Sequence, residues 1–425
     1  MALTEVWANS GYWQDIQNAI NQVAGVGNVH IPAGTFNFVD VSETWNNGPK
    51  IIVPAGVNVF GAPTPRDANN QVIDWKTILV VPYDVPSGDL VGWKSFFGMR
   101  GSKPSRFSDI KLIGYRNINP SSVYTMASLG ITGIIDFRID HCYFLDVTGG
   151  MGTSAATDNG PVRGVIDHNR LVNTVGNPGY GPTAYPSGTP EHSIDYGIMP
   201  YRTSKSTYWD PNIMNVLGKY TDYSVYIEDN YFSRWRHCVA SINGMHYVFR
   251  HNMVQDDYGG GTLDGHGAYT YVGTRAMEVY DNQFLDPNYI YEVQPSIIQW
   301  RGGGGVFFNN TIRDYYFTIY LRLTEGLVPN DTFVQPTQTI QNPIYFWSNN
   351  YLHGGKHYDQ PPLFLSGDTP GPYFYQNTAM PNYTPYPYPH PLTLEGLINP
   401  RRITGTVLEA RTNTPLQGAI VEAKA

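Results

Sequence analysis

One six-residue pattern of apolar and polar positions returns seven times along the chain: an apolar residue, two mostly polar ones, an Asn, a spacer and a second apolar residue. It reads Ile139-Asp-His-Cys142-Tyr-Phe144, Ile166-Asp-His-Asn169-Arg-Leu171, Ile227-Glu-Asp-Asn230-Tyr-Phe232 and Phe249-Arg-His-Asn252-Met-Val254. It continues as Val279-Tyr-Asp-Asn282-Gln-Phe284, Phe307-Phe-Asn-Asn310-Thr-Ile312 and Trp347-Ser-Asn-Asn350-Tyr-Leu352. The fourth positions, 142, 169, 230, 252, 282, 310 and 350, are separated by 27, 61, 22, 30, 28 and 40 residues. A period near 20 to 30 residues, with insertions that spare the motif, predicts a solenoid. Strand alternation turns the leading apolar residue inward and the next residue outward. The outward column is then Asp140, Asp167, Glu228, Arg250, Tyr280, Phe308 and Ser348. The Asn column is expected to turn the chain and stack amide on amide.

Upstream, Trp13-Gln-Asp-Ile16-Gln-Asn-Ala19-Ile20-Asn-Gln-Val23 carries apolar residues at helical spacing and predicts one amphipathic helix, stopped by Gly25 to Gly27. Val29 to Phe38, Ile51 to Gly61 and Ile110 to Gly114 alternate like short strands broken by turn residues. Residues 173–222 and 323–343 fill the two long gaps between motifs and read as loop excursions, the kind that form binding faces on a rigid scaffold. Thr384-Pro-Tyr-Pro-Tyr-Pro-His-Pro391 predicts an extended linker or strap over 384–400.

Composition agrees with strands and turns. Among 425 residues there are 44 Gly, 32 Pro and 32 Tyr, and only 15% are charged, so strong helix formers are scarce. A net charge of −8 without a basic cluster argues against nucleic acid or an anionic membrane as partner. No apolar run reaches membrane-spanning length, so no membrane insertion is expected. The start, Met1 to Trp7, lacks a charged and apolar leader. A disulfide between Cys142 and Cys238 is not inferable.

The phrase Ile31-Pro-Ala-Gly-Thr-Phe36 after a helix, followed by Val53-Pro-Ala-Gly-Val57-Asn-Val59-Phe-Gly61, resembles the opening of the pectate-lyase-like superfamily over roughly residues 10 to 355. That resemblance implies an all-β fold, a single-stranded right-handed parallel β-helix with an N-terminal capping helix, over residues 1–383. The superfamily holds lyases, hydrolases, epimerases, tailspikes and adhesins, so fold alone does not choose among them. Residues 401–425, from Arg402-Ile-Thr-Gly405-Thr-Val407 to Pro415-Leu-Gln-Gly418-Ala-Ile-Val421, resemble the first strands of a carboxypeptidase-regulatory-like β-sandwich. Such modules usually stand in secreted or surface proteins, and this implies an extracellular or cell-surface location.

Three sets of residues are candidates for chemistry. Neighbouring coils lie about 4.8 Å apart, so Asp140 and Asp167 are neighbours if their 27-residue spacing is one coil. Glu228 is next to them, or one coil further if part of 173–222 makes its own turn. Adjacent or alternate coils then give the spacing of a glycosidase acid pair. The alternative is an inert ladder with Arg250 neutralising Glu228. The second set is Asp256, Asp257, Asp264 and His266 in a Gly-rich stretch, with Arg275 as partner. Its Gln-Asp-Asp and Gly-His-Gly pieces look like polygalacturonase motifs, but the short loop between them and the missing Asn-Thr-Asp and Arg-Ile-Lys motifs speak against that family. The three Asp residues could instead hold Ca²⁺ through oxygen ligands, with Arg275, Arg301 or His266 as a lyase base. Third, Trp235 and Trp300, with Arg250 and Arg301, are candidates for sugar binding.

The expected function is cleavage of a polysaccharide or cell-surface glycan, by hydrolase or lyase chemistry. Asp256, Asp257 and His266 lead, Arg275 assists, and the acid ladder is the alternative. The rival is a non-catalytic adhesin, surface protein or virus-fibre segment. Oligomeric state is left open.

Overall fold

A computed structural model describes residues 3–23, 25–38, 50–81, 95–114, 127–147, 149–155, 161–174, 196–202, 216–235, 237–241, 244–255, 262–265, 274–285, 296–300, 304–315, 317–321, 344–353, 356–358, 363–365 and 374–394. The described strands form three sheets, here called A, B and C, of twelve, eleven and ten strands. The chain visits them in the order C, A, B and then returns to C one rung higher. All the strand pairs are parallel except the antiparallel pair Asn350–His353 with Lys356–Tyr358. This is a parallel β-helix. The helix Trp13–Gln22 buries Ile16, Ala19 and Ile20 against the first strands of sheets A and C. No described helix is long and apolar enough to cross a membrane.

The hexads are the corner between sheets A and B. Each sheet A strand ends on the outward residue of the hexad, two residues turn the corner, and a sheet B strand follows, as in Ile135–Asp140 to Tyr143–Leu145 and Ser224–Glu228 to Tyr231–Ser233. The first residue of each turn has positive φ: His141 (55°), His168 (55°), Asp229 (57°), His251 (53°), Asp281 (57°), Asn309 (54°) and Ser348 (53°). Left-handed backbone costs a non-Gly residue about 1–2 kcal/mol, so something must hold it.

The Asn ladder does so. Asn252 Nδ2 donates to Arg250 O inside its own turn and to Ile227 O on the rung below, each at 2.9 Å. Its own backbone N–H donates to Asn282 Oδ1 at 2.9 Å on the rung above. The same contacts repeat through Asn169, Asn230 and Asn282. Asn310 keeps the bonds to Val279 O below and from its N–H to Asn349 Oδ1 above, and Cys142 N–H feeds the lower end by donating to Asn169 Oδ1. Each amide satisfies backbone groups that would otherwise be buried unpaired.

The seventh hexad is corrected by one position. Asn349, not Asn350, accepts from Asn310 at the top of the ladder. Phe346 pairs with inward Phe307, and Trp347 pairs with outward Phe308. Ser348 is therefore the turn residue rather than a member of the outward column. Two adjacent Asn residues made both registers fit the pattern. The other inward positions, Ile139, Ile166, Ile227, Phe249, Val279 and Phe307, all lie in the core.

The register shift sets a test. Asn349→Ala removes the terminal amide of the ladder and is expected to lower stability by about 1–3 kcal/mol. Asn350→Ala, at an exposed position, is expected to cost less than about 1 kcal/mol. Urea unfolding of the two variants decides between the registers; equal losses would contradict the one described.

Candidate functional site

The outward acids of sheet A stand where the motif spacing puts them. Asp140 pairs with Asp167, Asp167 with Glu228 and Glu228 with Arg250 on successive rungs. The 61-residue gap therefore spans a single coil. All four side chains are fully buried, however, and each acid faces an arginine. Arg106 Nε and Nη2 donate to Asp140 at 2.6 and 2.5 Å. Arg138 Nε and Nη2 donate to Asp167 at 2.9 and 2.8 Å. Arg250 Nη2 and Nε lie 2.6 and 2.8 Å from Glu228 Oε2. Burial would raise the carboxyl pKa of Asp140 and Asp167, but Arg138, joined by Arg106 at Asp140, outweighs it and holds both below the usual carboxylate range. An acid held ionised cannot donate a proton.

Residues 374–394 explain the burial. Phe374–Gln376 adds the last strand of sheet A, and the chain then runs back across that sheet's outer face. Tyr383 packs beside Phe308 and Trp347 and donates its hydroxyl to Glu278. The carbonyls of Tyr386 and Pro387 accept from Arg250 Nη1 and Nη2 at 2.6 and 2.8 Å. His390 N–H donates to Glu228 Oε1 at 2.7 Å, and Pro391–Thr393 reaches the strands carrying Asp140 and Asp167. A second hydrophobic cluster, separate from the core, joins Tyr226, Val248 and Phe308 of sheet A to Met380, Tyr386 and Leu392 of this strap. Arg250 is a clamp for the strap here, not a sugar contact.

Beneath the strap, Ser224 Oγ lies 2.8 Å from His246 Nδ1, and His246 Nε2 lies 2.8 Å from Glu278 Oε1. The trio has the order of a hydrolytic triad. It is fully buried, and Glu278 also accepts from Gly218 N–H and Tyr383, so these groups serve the packing of the strap.

Sheet C is the face with variable borders. The A-to-B corner is two residues long in all seven hexads, whereas the connections entering and leaving sheet C range from two residues to more than twenty. Leu145 to Gly149 and Arg313 to Phe317 are short; Val172 to Tyr196 and Leu321 to Ile344 are long. Asp264 lies in the middle of this sheet, between Ala240 and Gln299 on adjacent strands. It is fully buried, with His237 Nε2 at 3.9 Å from its carboxylate. Arg275, also fully buried, lies just before a sheet A strand, its N–H bonded to Met245 O. Asp256, Asp257, His266 and Arg301 lie outside the described residues, so of the three proposed Ca²⁺ ligands only Asp264 is placed. Among the described residues no three His, Cys, Asp or Glu groups converge on a metal-sized space.

Two sugar-stacking expectations are corrected. Trp235 and Trp300 are fully buried in the core; Trp235 donates its indole N–H to Leu171 O at 2.8 Å, and Trp300 packs edge-on to Phe346. Both fill the coil interior.

One site was missed in the sequence. A cavity of about 640 Å³ opens at the A-to-B corner, between the loop Asn69–Gln71 and the strap residues Tyr388–Leu394. Its polar lining includes Arg138, His168, Arg170, Asp229 and His251. His168, Asp229 and His251 are the positive-φ residues of three successive turns. Their signal was the third hexad position, which reads as generic polarity until the turn geometry aligns it.

Set beside known proteins, the chain shows only a distant likeness in chain course. No protein-family profile matches it, and no curated protein matches it. It is similar in structure to the A-module of the Azotobacter vinelandii mannuronan C-5 epimerase AlgE4, at 14% identity over 86% of this chain and 89% of that one, with a TM-score of 0.42. It is similar to an alginate lyase from Paenibacillus sp. str. FPU-7, at 11% identity over 87% and 99%, TM-score 0.39. It is also similar to PfbA, a surface adhesin of Streptococcus pneumoniae, at 12% identity over 85% and 93%, TM-score 0.39. The similarity is one of chain course, and the fold assignment rests on the sheet pairing described above.

The strap carries a pH dependence. Burial and the nearby Arg250 guanidinium pull the His390 imidazole from 6.5 down to about 3. A histidine depressed in the folded chain contributes stability above pH 6.5 that is lost as pH falls toward 3. Burial also pushes the Glu228 carboxyl from 4.5 up to about 7 against the pull of Arg250, so its cost grows as pH rises through that window and opposes the His390 slope. Comparing wild type with His390→Asn isolates the histidine. Between pH 7 and pH 4, hydrogen-exchange protection over 383–394, corrected for the intrinsic rate at each pH, is expected to fall more in the wild type than in the variant; parallel profiles would refute the assignment. Separately, Arg250→Met leaves Glu228 buried and unpaired, an expected loss of about 3–5 kcal/mol, readable by thermal unfolding.

Proposed function

We propose that the chain is a secreted or surface-exposed carbohydrate-active β-helix protein that cleaves a polysaccharide laid across sheet C, as a hydrolase or a lyase. The observation that carries this reading is the buried Asp264 carboxylate within the sheet whose connections, entering and leaving, run from two to more than twenty residues. Loops of variable length on a rigid scaffold are where binding faces are built, and a buried charge is costly enough to need a purpose. In this reading the helix Trp13–Gln22 closes the N-terminal end of the coil, and Asp256, Asp257 and His266 flank Asp264 as the catalytic groups. Arg275 and Arg301 serve as cationic partners, and Asp256, Asp257 and Asp264 are the residues that would hold Ca²⁺, which would supply positive charge for an acidic sugar. Residues 401–425 begin a carboxypeptidase-regulatory-like module.

A second reading, glycan binding without cleavage, is favoured by one specific observation. The most regular acid ladder in the chain, Asp140, Asp167 and Glu228, is buried and Arg-paired, and so cannot act on substrate.

A panel of polysaccharides, assayed both for new reducing ends and for ultraviolet-absorbing unsaturated uronates, separates the two. On the cleaved glycan, Asp257→Ala and His266→Ala are each expected to lower kcat by about 10² or more. Full activity in both variants would remove these residues from the mechanism. Binding without either product would establish the second reading.

A further inference from the structure

Arg138 is almost completely buried, at 3% exposed, and its guanidinium is only partly used. Nε and Nη2 form a fork on Asp167, while Nη1 is buried without a hydrogen-bond partner among the described residues. A guanidinium offers five N–H donors, and a buried donor left unmade costs about 1–3 kcal/mol. Arg138 lines the corner cavity of about 640 Å³.

The other lining groups point the same way. His168 is held by Asp167 through Nδ1 at 2.9 Å. Burial disfavours its charged form, yet the hydrogen bond and charge of Asp167 outweigh burial and raise its pKa. Its Nε2 has no partner among the described residues. Arg170 begins the adjoining sheet B strand and lies over the rings of Tyr231 and Tyr143, at 4.7 and 5.8 Å; no described carboxylate pairs with it. His251 stacks on Tyr388 at 3.6 Å. Asp229, the one carboxylate in the lining, accepts from Tyr388 Oη at 2.7 Å. The lining thus places Arg138, Arg170 and His168 against a single engaged carboxylate, beside the ring of Tyr231. His251, its pKa pulled down by burial and its Nε2 3.8 Å from Asp281, adds no charge and covers Tyr388.

We propose that this corner cavity is a second, non-catalytic binding site for an anionic sugar, whose carboxylate or sulfate group is taken by Arg138, Arg170 and His168 while a ring lies against Tyr231. Arginine forks match planar and tetrahedral oxyanions, and tyrosine faces accept sugar rings. The site stands on sheets A and B, apart from the cleavage site proposed on sheet C. It borrows from that reading only the expectation that the ligand is a glycan. Because Tyr388 and its neighbours form one wall, the strap both covers the acid ladder and completes the site.

Calorimetric titration of the full chain with three trisaccharides tests this: trigalacturonic acid, its uncharged methyl ester, and a sulfated trisaccharide. At least one charged probe is expected to bind at least tenfold more tightly than the ester, and the preferred probe identifies the anionic group. Arg170→Gln and His168→Asn, the latter suited to positive φ, are each expected to weaken that binding about tenfold, with Arg170→Lys recovering part of it. Unfolding curves matching wild type confirm that the variants fold. The proposal is overturned if no probe binds, if the ester binds as well as the acid, or if both Arg170→Gln and His168→Asn bind unchanged. Binding lost in Asp257→Ala but kept in Arg170→Gln would assign the ligand to the proposed cleavage site and also overturn it. Because the cleavage assay reads Asp257 and His266, failure of cleavage and failure of this site are separate results.

Discussion

The two-residue corner between sheets A and B is the constraint on which the rest of the molecule hangs. A left-handed residue followed by Asn turns the strand through the corner in so few atoms that its backbone groups cannot find partners within the turn. The Asn side-chain amide supplies them, both inside its own turn and across to the rungs above and below. Each rung is therefore hydrogen-bonded into the next by side chain as well as by main chain, and the rise and register of the coil are fixed at that corner. Inward and outward rows follow from the register without further instruction.

A fixed corner on one side permits variation on the other. The borders of sheet C can lengthen by tens of residues, as between Val172 and Tyr196, without disturbing Asp167 and Glu228, which remain direct neighbours across that insertion. Rigidity at the A-to-B corner and variability around sheet C are two consequences of one division of labour. The ladder sets the frame, and the loops that flank sheet C are free to carry a binding face.

The strap changes the meaning of sheet A. Its outer rows carry Asp140, Asp167, Glu228 and Glu278, charges that would normally face water. Their placement under residues 377–394 turns each into a buried ion pair or hydrogen bond, with Arg250 joining Glu228 to the carbonyls of Tyr386 and Pro387. Exposed, such a row would be a plausible catalytic pair; covered, it is the polar half of an internal interface whose apolar half is Tyr226, Phe308, Tyr386 and Leu392. The same strap leaves a cavity at the corner, where the unpaired Arg138 Nη1 and the imidazole of His168 meet a wall that only the C-terminal segment provides.

The sequence alone determined the coil, its inward core and the adjacency of Asp140 and Asp167, because a repeating amide ladder is a local device and leaves a local, periodic trace. That Glu228 follows Asp167 directly across the 61-residue gap came from the strand pairing. It slipped by one residue at Asn349 and Asn350, where two identical side chains stand side by side and pattern cannot say which one meets Asn310. It also could not separate Trp235 and Trp300, which fill the coil interior, from tryptophans that face a ligand, since both kinds are simply large and aromatic. Only the tertiary structure decided what covers each column. The strap reaches Arg250 from 136 residues away along the chain, and no periodicity in the hexads encodes the arrival of so distant a segment. Burial, ion pairing and the corner cavity all depend on that long-range contact, so the rows of residues were legible while their chemistry was not.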